Sequence, residues 1–293
     1  MRFFRTIGMG VLALALASAA QAQIKPRADR IQSTENVPSP AELAAEDRLF
    51  ANAIAGLAAQ RPGQRDVYVL AAGLWDDHVF FNEAQQSAKV LATRFGAEGR
   101  SLVLAQGAEA RAAGLPGANP AQFNRALAAL GTIMDRTQDV LVVFITSHGA
   151  QAQGAIFQEA GRLQAALTPG ALAASLREAG PEHRIVIVSA CFAGQYGAAL
   201  ANPKTIVLAA SAPDRSSFGC EPERDWTWFG DAFFNVALRG KLPLLDAFEQ
   251  AKATVQGWEI RESQRASKPG AFVGEDMKAL LPQIEKLGQR PSN

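Results

Sequence analysis

Two residues in this chain pair a reactive side chain with the same kind of setting: Cys191 in Ser189-Ala190-Cys191-Phe192-Ala193-Gly194 and His148 in Thr146-Ser147-His148-Gly149. A thiol attacks a carbonyl carbon as its thiolate, and with a reference pKa of about 8.5 it needs a neighbouring base or cation near neutral pH. An imidazole can take that proton and later give it to a leaving amine. Acyl transfer through a thioester is therefore the simplest chemistry the pair allows. Gly149 has no side chain, which leaves its N–H open to a developing oxyanion, and the N–H of Cys191 would be the second donor. One such donor is worth about 3 kcal/mol in other acyl-transfer sites.

These residues need elements that bring them to one place. Ile185-Val186-Ile187-Val188 and Val140-Leu141-Val142-Val143-Phe144-Ile145 are short, rich in β-branched residues and apolar at every position, the pattern of strands covered on both faces. Such strands belong to parallel sheets, where ligands bind beyond the carboxyl ends. Cys191 and His148 each fall just past such an end. Thr168-Pro169 through Ala179, closed by Gly180-Pro181, supplies a crossover helix between the two strands.

The rest of the chain repeats the alternation. A helix is expected over 41–60, a buried strand over 66–73, a loop at 74–78 and a helix over 82–95. A strand follows at 101–104, a Gly- and Pro-bearing loop over 107–120 and a helix over 121–136. Residues 149–167 read as a small hairpin beside the site. Thr205 to Ala210 reads as a further strand, with helices over 229–238, 244–265 and 275–287. This order predicts an α/β fold, a doubly wound, mostly parallel sheet flanked by helices, in one domain over 41–288. The 48% hydrophobic content supports one sizeable core. His183, just before the Cys strand, reads as solvated.

The His-Gly and Ala-Cys-x-x-Gly segments, in this order and at strand ends, resemble the paired signatures of the legumain family of cysteine peptidases, whose wider clan holds caspases and gingipains. The stretch Ala209 to Cys220 looks like the family's substrate-flanking strand and loop, and the resemblance covers roughly residues 65–240. It implies a caspase/legumain-like fold and a Cys191–His148 endopeptidase acting on peptides or proteins without a cofactor or metal. Substrate contacts are implied at Ser189, Ser211, Asp214, Arg215 and Asp76, with Asp225 a further candidate. The ungapped match departs from the family at three points. Val79 falls where an Asn orients the catalytic His, leaving Asp76 or Asp77 as the nearby candidates for a third member. Ser189 replaces a Glu of the P1 pocket and Phe81 an Arg, so strict asparaginyl specificity is not implied.

Arg2 and Arg5, an apolar run from Ile7 to Ala17 and Ala20-Gln21-Ala22 make residues 1–22 a secretory signal peptide cleaved after Ala22, with 23–40 a flexible lead. A secreted or periplasmic protein without a stable membrane anchor is expected. Loss of Arg2 and Arg5 from the 29 basic residues would leave 27 against 28 acidic ones, a balance that points away from nucleic acid. Two alternatives stay open. In an oxidising compartment Cys191 and Cys220 could form a disulfide, and a legumain-like chain without the orienting Asn could be a silent binding module. A zinc site from Cys191, Cys220 and His148 lacks the close-spaced ligand pair such sites use.

Overall fold

A run of residues that is apolar at every position can satisfy its side chains only between two layers, and the central strands do so. The computed structural model describes residues 39–159 and 162–289, so the leader expected at 1–22 lies outside the described residues. Helix α1 (Pro40–Ala55) precedes β1 (Val67–Gly73), α2 (His78–Phe95) and β2 (Ser101–Ala105). The short α3 (Ala108–Ala112) and α4 (Pro120–Ile133) lead to β3 (Val140–Thr146). A small three-stranded sheet, β4 (Gly149–Ala150), β5 (Gly154–Glu159) and β6 (Arg162–Leu167), comes next. Then α5 (Pro169–Ala179), β7 (His183–Ser189), α6 (Gln195–Ala199) and β8 (Thr205–Ala209) follow. The chain ends in α7 (Trp228–Gly230), which runs on as a π-helix over Asp231–Ala237, then α8 (Leu244–Arg261), β9 (Gly270–Val273) and α9 (Glu275–Glu285).

The main sheet has the order β2-β1-β3-β7-β8-β9, parallel throughout except for β9, which runs antiparallel to β8. Alternate residues of each strand feed two cores. Tyr68, Leu70, Leu141, Val143, Val186 and Val188 face one layer with α4 and α5. Val67, Val69, Val142, Phe144, Ile185 and Ile187 face the other, with α2, the π-helix, α8 and α9. The fold is thus a doubly wound, mostly parallel sheet flanked by helices. The chain leaves β1 outward to β2 and returns past it to β3, which sets the switch point of the sheet beyond the ends of β1 and β3.

Several elements differ from the sequence expectation, α3 among them, which lies in the stretch expected as a loop over 107–120. Helix α2 begins at His78, inside what reads as a loop, because Phe80 and Val79 are already part of its buried face. The segment 229–238 is mainly π-helical, not α-helical. Strand β9 carries no signal strong enough to separate it from loop, and it forms because β8 offers it an open edge. His183 opens β7 and is half-buried, with burial pushing its pKa down.

Candidate active site

Thr146 of β3 is paired with Ser189 of β7, and His148 and Cys191 each lie two residues beyond that pair. The register alone therefore brings the imidazole and the thiol to the same level of the sheet edge. Both line one pocket with Ser147, Ser189, Ala190, Ser217, Phe218, Cys220 and Thr227. The cavity has about 10 Å³, room for one water molecule.

The turn that carries Cys191 is held against its own strain. Phe192 adopts φ 61°, a left-handed conformation that costs a non-glycine residue roughly 1 kcal/mol or more. Its N–H donates to the carbonyl of Arg215 at 2.8 Å. Beneath it the buried Ser211 hydroxyl donates to Ala190 O and accepts from the N–H of Ala193, both at 3.1 Å. Hydrogen bonds of this kind contribute about 1 kcal/mol each, enough to hold the turn. Ser211, expected at the substrate, is occupied in this way beneath Cys191.

His148 is positioned by the small sheet. Its carbonyl accepts from the N–H of Ile156 at 3.0 Å, and Ser147 Oγ donates to Ile156 O at 2.6 Å. Tyr196, from the helix after Cys191, bonds to Ala155 N and Leu167 O of the same sheet. The Cys and His segments are thus braced against a common part. Trp75 and Phe80 meet the imidazole edge-on, with ring centroids at 4.5 and 5.0 Å. This apolar packing and burial depress the His148 pKa, and Asp77, whose Oδ2 lies 3.6 Å from Nε2, works in the opposite direction. The imidazole is accordingly neutral near pH 7, in the state a base requires.

Gly149 sits where a Cβ would lie 2.1 Å from the carbonyl oxygen of Cys191, so only glycine permits the two loops to approach. That approach brings the backbone of Gly149 beside that of Cys191. Cys191 Sγ accepts from the N–H of Ser217 at 3.3 Å and donates to the Ser217 carbonyl at 3.5 Å. No hydrogen bond joins Sγ to the imidazole among the described residues, and the thiol rests against the loop after β8. Cys191 and Cys220 are both free. Burial, then the nearby Cys191, push the Cys220 thiol up to about 11.

The other expected site residues spread over the edge. Ser189 lines the pocket, while Asp214 is exposed and lies 3.4 Å from Arg215 Nε. Arg215 serves the turn through its carbonyl. Asp76 packs on Gly107, outside the residues that line the pocket, and Asp77 is the acid that faces the imidazole. Asp225 is 3.3 Å from His78 Nε2, next to Glu109, which lies 2.6 Å from Nδ1. Phe81 stands near His78 and Val79 is fully buried.

Sequence reading missed what lies beneath the pocket. Glu83 is fully buried on α2 and accepts hydrogen bonds from Thr227 Oγ1 at 2.7 Å and from Thr146 Oγ1. Thr227 Oγ1 is in turn 3.0 Å from Ser189 Oγ and accepts from the N–H of Gly230 at 3.0 Å. Burial raises the Glu83 carboxyl to about 7 against the pull of these hydroxyls. A signal existed: Glu83 stands in phase with Val79, Phe80, Ser87 and Leu91 on the apolar stripe of α2, a position where an unpartnered carboxylate is too costly.

A thiol and an imidazole stand at adjacent strand ends of a doubly wound sheet, an arrangement that suits a thiol hydrolase. The model of the peptidase C13 family matches residues 122–279, and the chain belongs to that family, the legumain family of cysteine-type peptidases. No curated protein matches the chain. Among solved structures, caspase-1 from Spodoptera frugiperda is similar at 13% identity and a TM-score of 0.47, over 74% of this chain and 94% of that one.

Proposed function

We propose that this cysteine peptidase is an exported endopeptidase that cleaves peptide bonds with Cys191 as nucleophile and His148 as base and acid. The observation that carries the reading is the β3–β7 register, which sets both residues two positions past one strand pair and into one pocket. A neutral His148 takes the thiol proton as Sγ attacks the scissile carbonyl, the N–H groups of Gly149 and Cys191 receive the oxyanion, and the imidazolium returns the proton to the leaving amine. Water then hydrolyses the thioester by the reverse transfer. Asp77 holds Nε2 and favours the charged imidazole that forms between the two steps.

Substrate entry has to displace Ser217 from the thiol, since both of its backbone groups contact Sγ. Ser217 and Phe218 also wall the pocket, so the cavity opens as they move. With Ser189 in place of an acidic residue and Phe81 away from the pocket, a P1 carboxamide meets few partners. An unmatched buried carboxamide loses roughly tenfold to a hundredfold against a matched side chain. A peptide-library profile is expected to show no strong preference for Asn over small or basic P1 residues.

The leader supports export, and protein recovered from the periplasm or medium is expected to begin at Gln23. Among the described residues, no helix is long and apolar enough to cross a membrane. The deciding experiment is labelling of the mature chain with a thiol-directed, peptide-like probe. Attachment at Cys191 that is lost in His148→Ala supports the peptidase, and a folded chain that takes no probe is the silent binding module instead.

A further inference from the structure

Glu83, Thr227 and Ser189 form a chain of hydrogen bonds from a fully buried carboxylate to a hydroxyl that lines the pocket of the nucleophile. We propose that Glu83 is a positioning residue for substrate choice: its protonation state decides whether Ser189 offers P1 a hydrogen-bond acceptor or a donor. The inference rests on the reading of Cys191 as nucleophile and extends it to the floor of the same pocket.

The direction of each bond follows from counting hydrogens. With Glu83 ionised, the single Thr227 hydroxyl hydrogen goes to Glu83 Oε1, as the 2.7 Å contact has it. Thr227 Oγ1 then accepts from Gly230 N–H and from the Ser189 hydroxyl, 3.0 Å away. The Ser189 hydrogen points down and its lone pairs remain for P1. When Glu83 gains a proton from solvent, Thr146 still donates to Oε2, and the new O–H on Oε1 donates to Thr227 Oγ1. Thr227 then donates to Ser189 Oγ, and the Ser189 hydrogen is free to turn toward the pocket. Thr227 accepts two bonds and donates one in both states, so neither state leaves the Thr227 hydroxyl unpaired, and only the Ser189 hydroxyl at the pocket changes what it offers. The chain is two-state, as a switch requires.

The surroundings leave Glu83 free to titrate. Thr146 reaches it from β3, and Thr227 from the turn before α7. Across the turn a Cβ on Gly230 would lie 1.5 Å from Oε1, so the carboxylate is pressed onto backbone with no room for a cation. Asp231 of the π-helix is the charged side chain that bears on it, and it disfavours ionisation. Of the acids on other elements packed against α2, Glu109 of α3 pairs with His78 and Glu285 of α9 with Arg94. His148, Cys191 and Cys220 are the titratable groups that share the pocket wall with Ser189. The upward shift of Glu83 to about 7 sets the window in which the switch would be read.

The test uses two peptide acyloxymethyl ketones that differ only at P1, one with asparagine and one with 4-oxonorvaline, in which a methyl group replaces the amide nitrogen. Both are neutral and nearly the same shape, so their ratio reports a single donor. Cys191 labelling by mass spectrometry is measured from pH 5.5 to 8.5. The asparagine probe is expected to gain about tenfold over the ketone probe as pH rises through the Glu83 titration, and Glu83→Gln, which cannot ionise, is expected to hold the ratio constant. Thermal melting of the variant shows that it is folded, and Thr227→Val, which cuts the chain while keeping Glu83, is expected to give the same flat ratio. A ratio independent of pH in the wild type, or a pH dependence that survives both variants, overturns the inference while leaving the nucleophile in place. If neither probe labels Cys191, and probes with small or basic P1 residues do not label it either, the peptidase reading fails. The inference is then read from a carboxyl-edited infrared titration of wild type against Glu83→Gln, where absence of a buried acid titrating near neutrality overturns it.

Discussion

The two ends of the central sheet both hold titratable groups, and they use them in opposite ways. At the amino ends Asp66 is fully buried, yet both its oxygens are met by Arg61, through the side chain and the backbone N–H, with Arg100 Nε at 3.5 Å. Asp139 beside it accepts from the N–H groups of Asp66 and Asp135. At the carboxyl ends the groups beside the thiol are held more loosely: the half-buried Asp77 stands 3.6 Å from His148, and the thiol hydrogen-bonds to the backbone of Ser217. A saturated acid fixes structure, whereas an acid or thiol with spare bonding capacity can trade partners during a reaction. The sheet therefore concentrates stability at one end and chemistry at the other.

The sharpest way to break this comparison is to exchange the readouts. Cys191→Ala is expected to lower peptide cleavage by roughly 10⁴ or more while leaving the melting temperature nearly unchanged, because the strained turn is held by Ser211 and Arg215 and loses one sulfur. Asp66→Ala is expected to do the reverse, costing about 2–3 kcal/mol in denaturant unfolding with a normal rate per folded molecule. Wild-type turnover in the first variant would remove the nucleophile from the mechanism. Loss of activity without loss of stability in the second would erase the division between the ends.

A smaller effect separates the two members of the His148–Asp77 pair. His148→Ala removes the base and is expected to cost roughly 10²–10⁴, whereas Asp77→Asn leaves it and costs less, about tenfold. The pH profile gives the sign. Asp77 raises a His148 pKa that burial has lowered, so its removal lets that pKa fall further and the acid limb of kcat/KM moves to lower pH. A limb that moves upward, or stays still, would show that Asp77 does not bear on the imidazole.

Glu83 offers a stability test that needs no substrate. Its folded pKa is raised from 4.5 to about 7, so the folded state binds the proton more tightly than the unfolded state does. That contribution is complete below the unfolded value and is lost as pH rises toward and through about 7. The window corresponds to on the order of 3 kcal/mol. Glu83→Gln is expected to flatten this part of the profile of unfolding free energy against pH, and an unchanged slope would assign it to other groups.

The strands and the crossover were legible because residues that are apolar on both faces leave few other options, and the ends of those strands marked Cys191 and His148. What failed was the start of α2. Asp77 is its N-cap by backbone conformation but makes no side-chain cap hydrogen bond, since its carboxylate faces His148 instead. The same residue had been legible as a candidate third member beside His148, but not as the start of a helix. Glu83 was hidden differently: a single Glu in an amphipathic helix reads as solvated until the stripe is phased against its neighbours. The partners Thr146 and Thr227 come from distant segments, and no local pattern announces them.

The smallest effect expected is at Cys220, the one thiol that shares the pocket with Cys191. Burial holds it protonated to about pH 11, so it competes poorly for an electrophile near neutral pH. Cys220→Ser keeps a small polar group in the wall and is expected to change cleavage less than about threefold. Iodoacetamide applied to the native mature protein should modify Cys191 first and leave Cys220 until unfolding, with both thiols countable in denaturant without reductant. A count of zero free thiols, together with activity that appears only after reduction, would mean that the two sulfurs are joined in the oxidised chain. The nucleophile would then be stored in oxidised form, and the contrast between a saturated end and a reactive end of the sheet would hold only in the reduced chain.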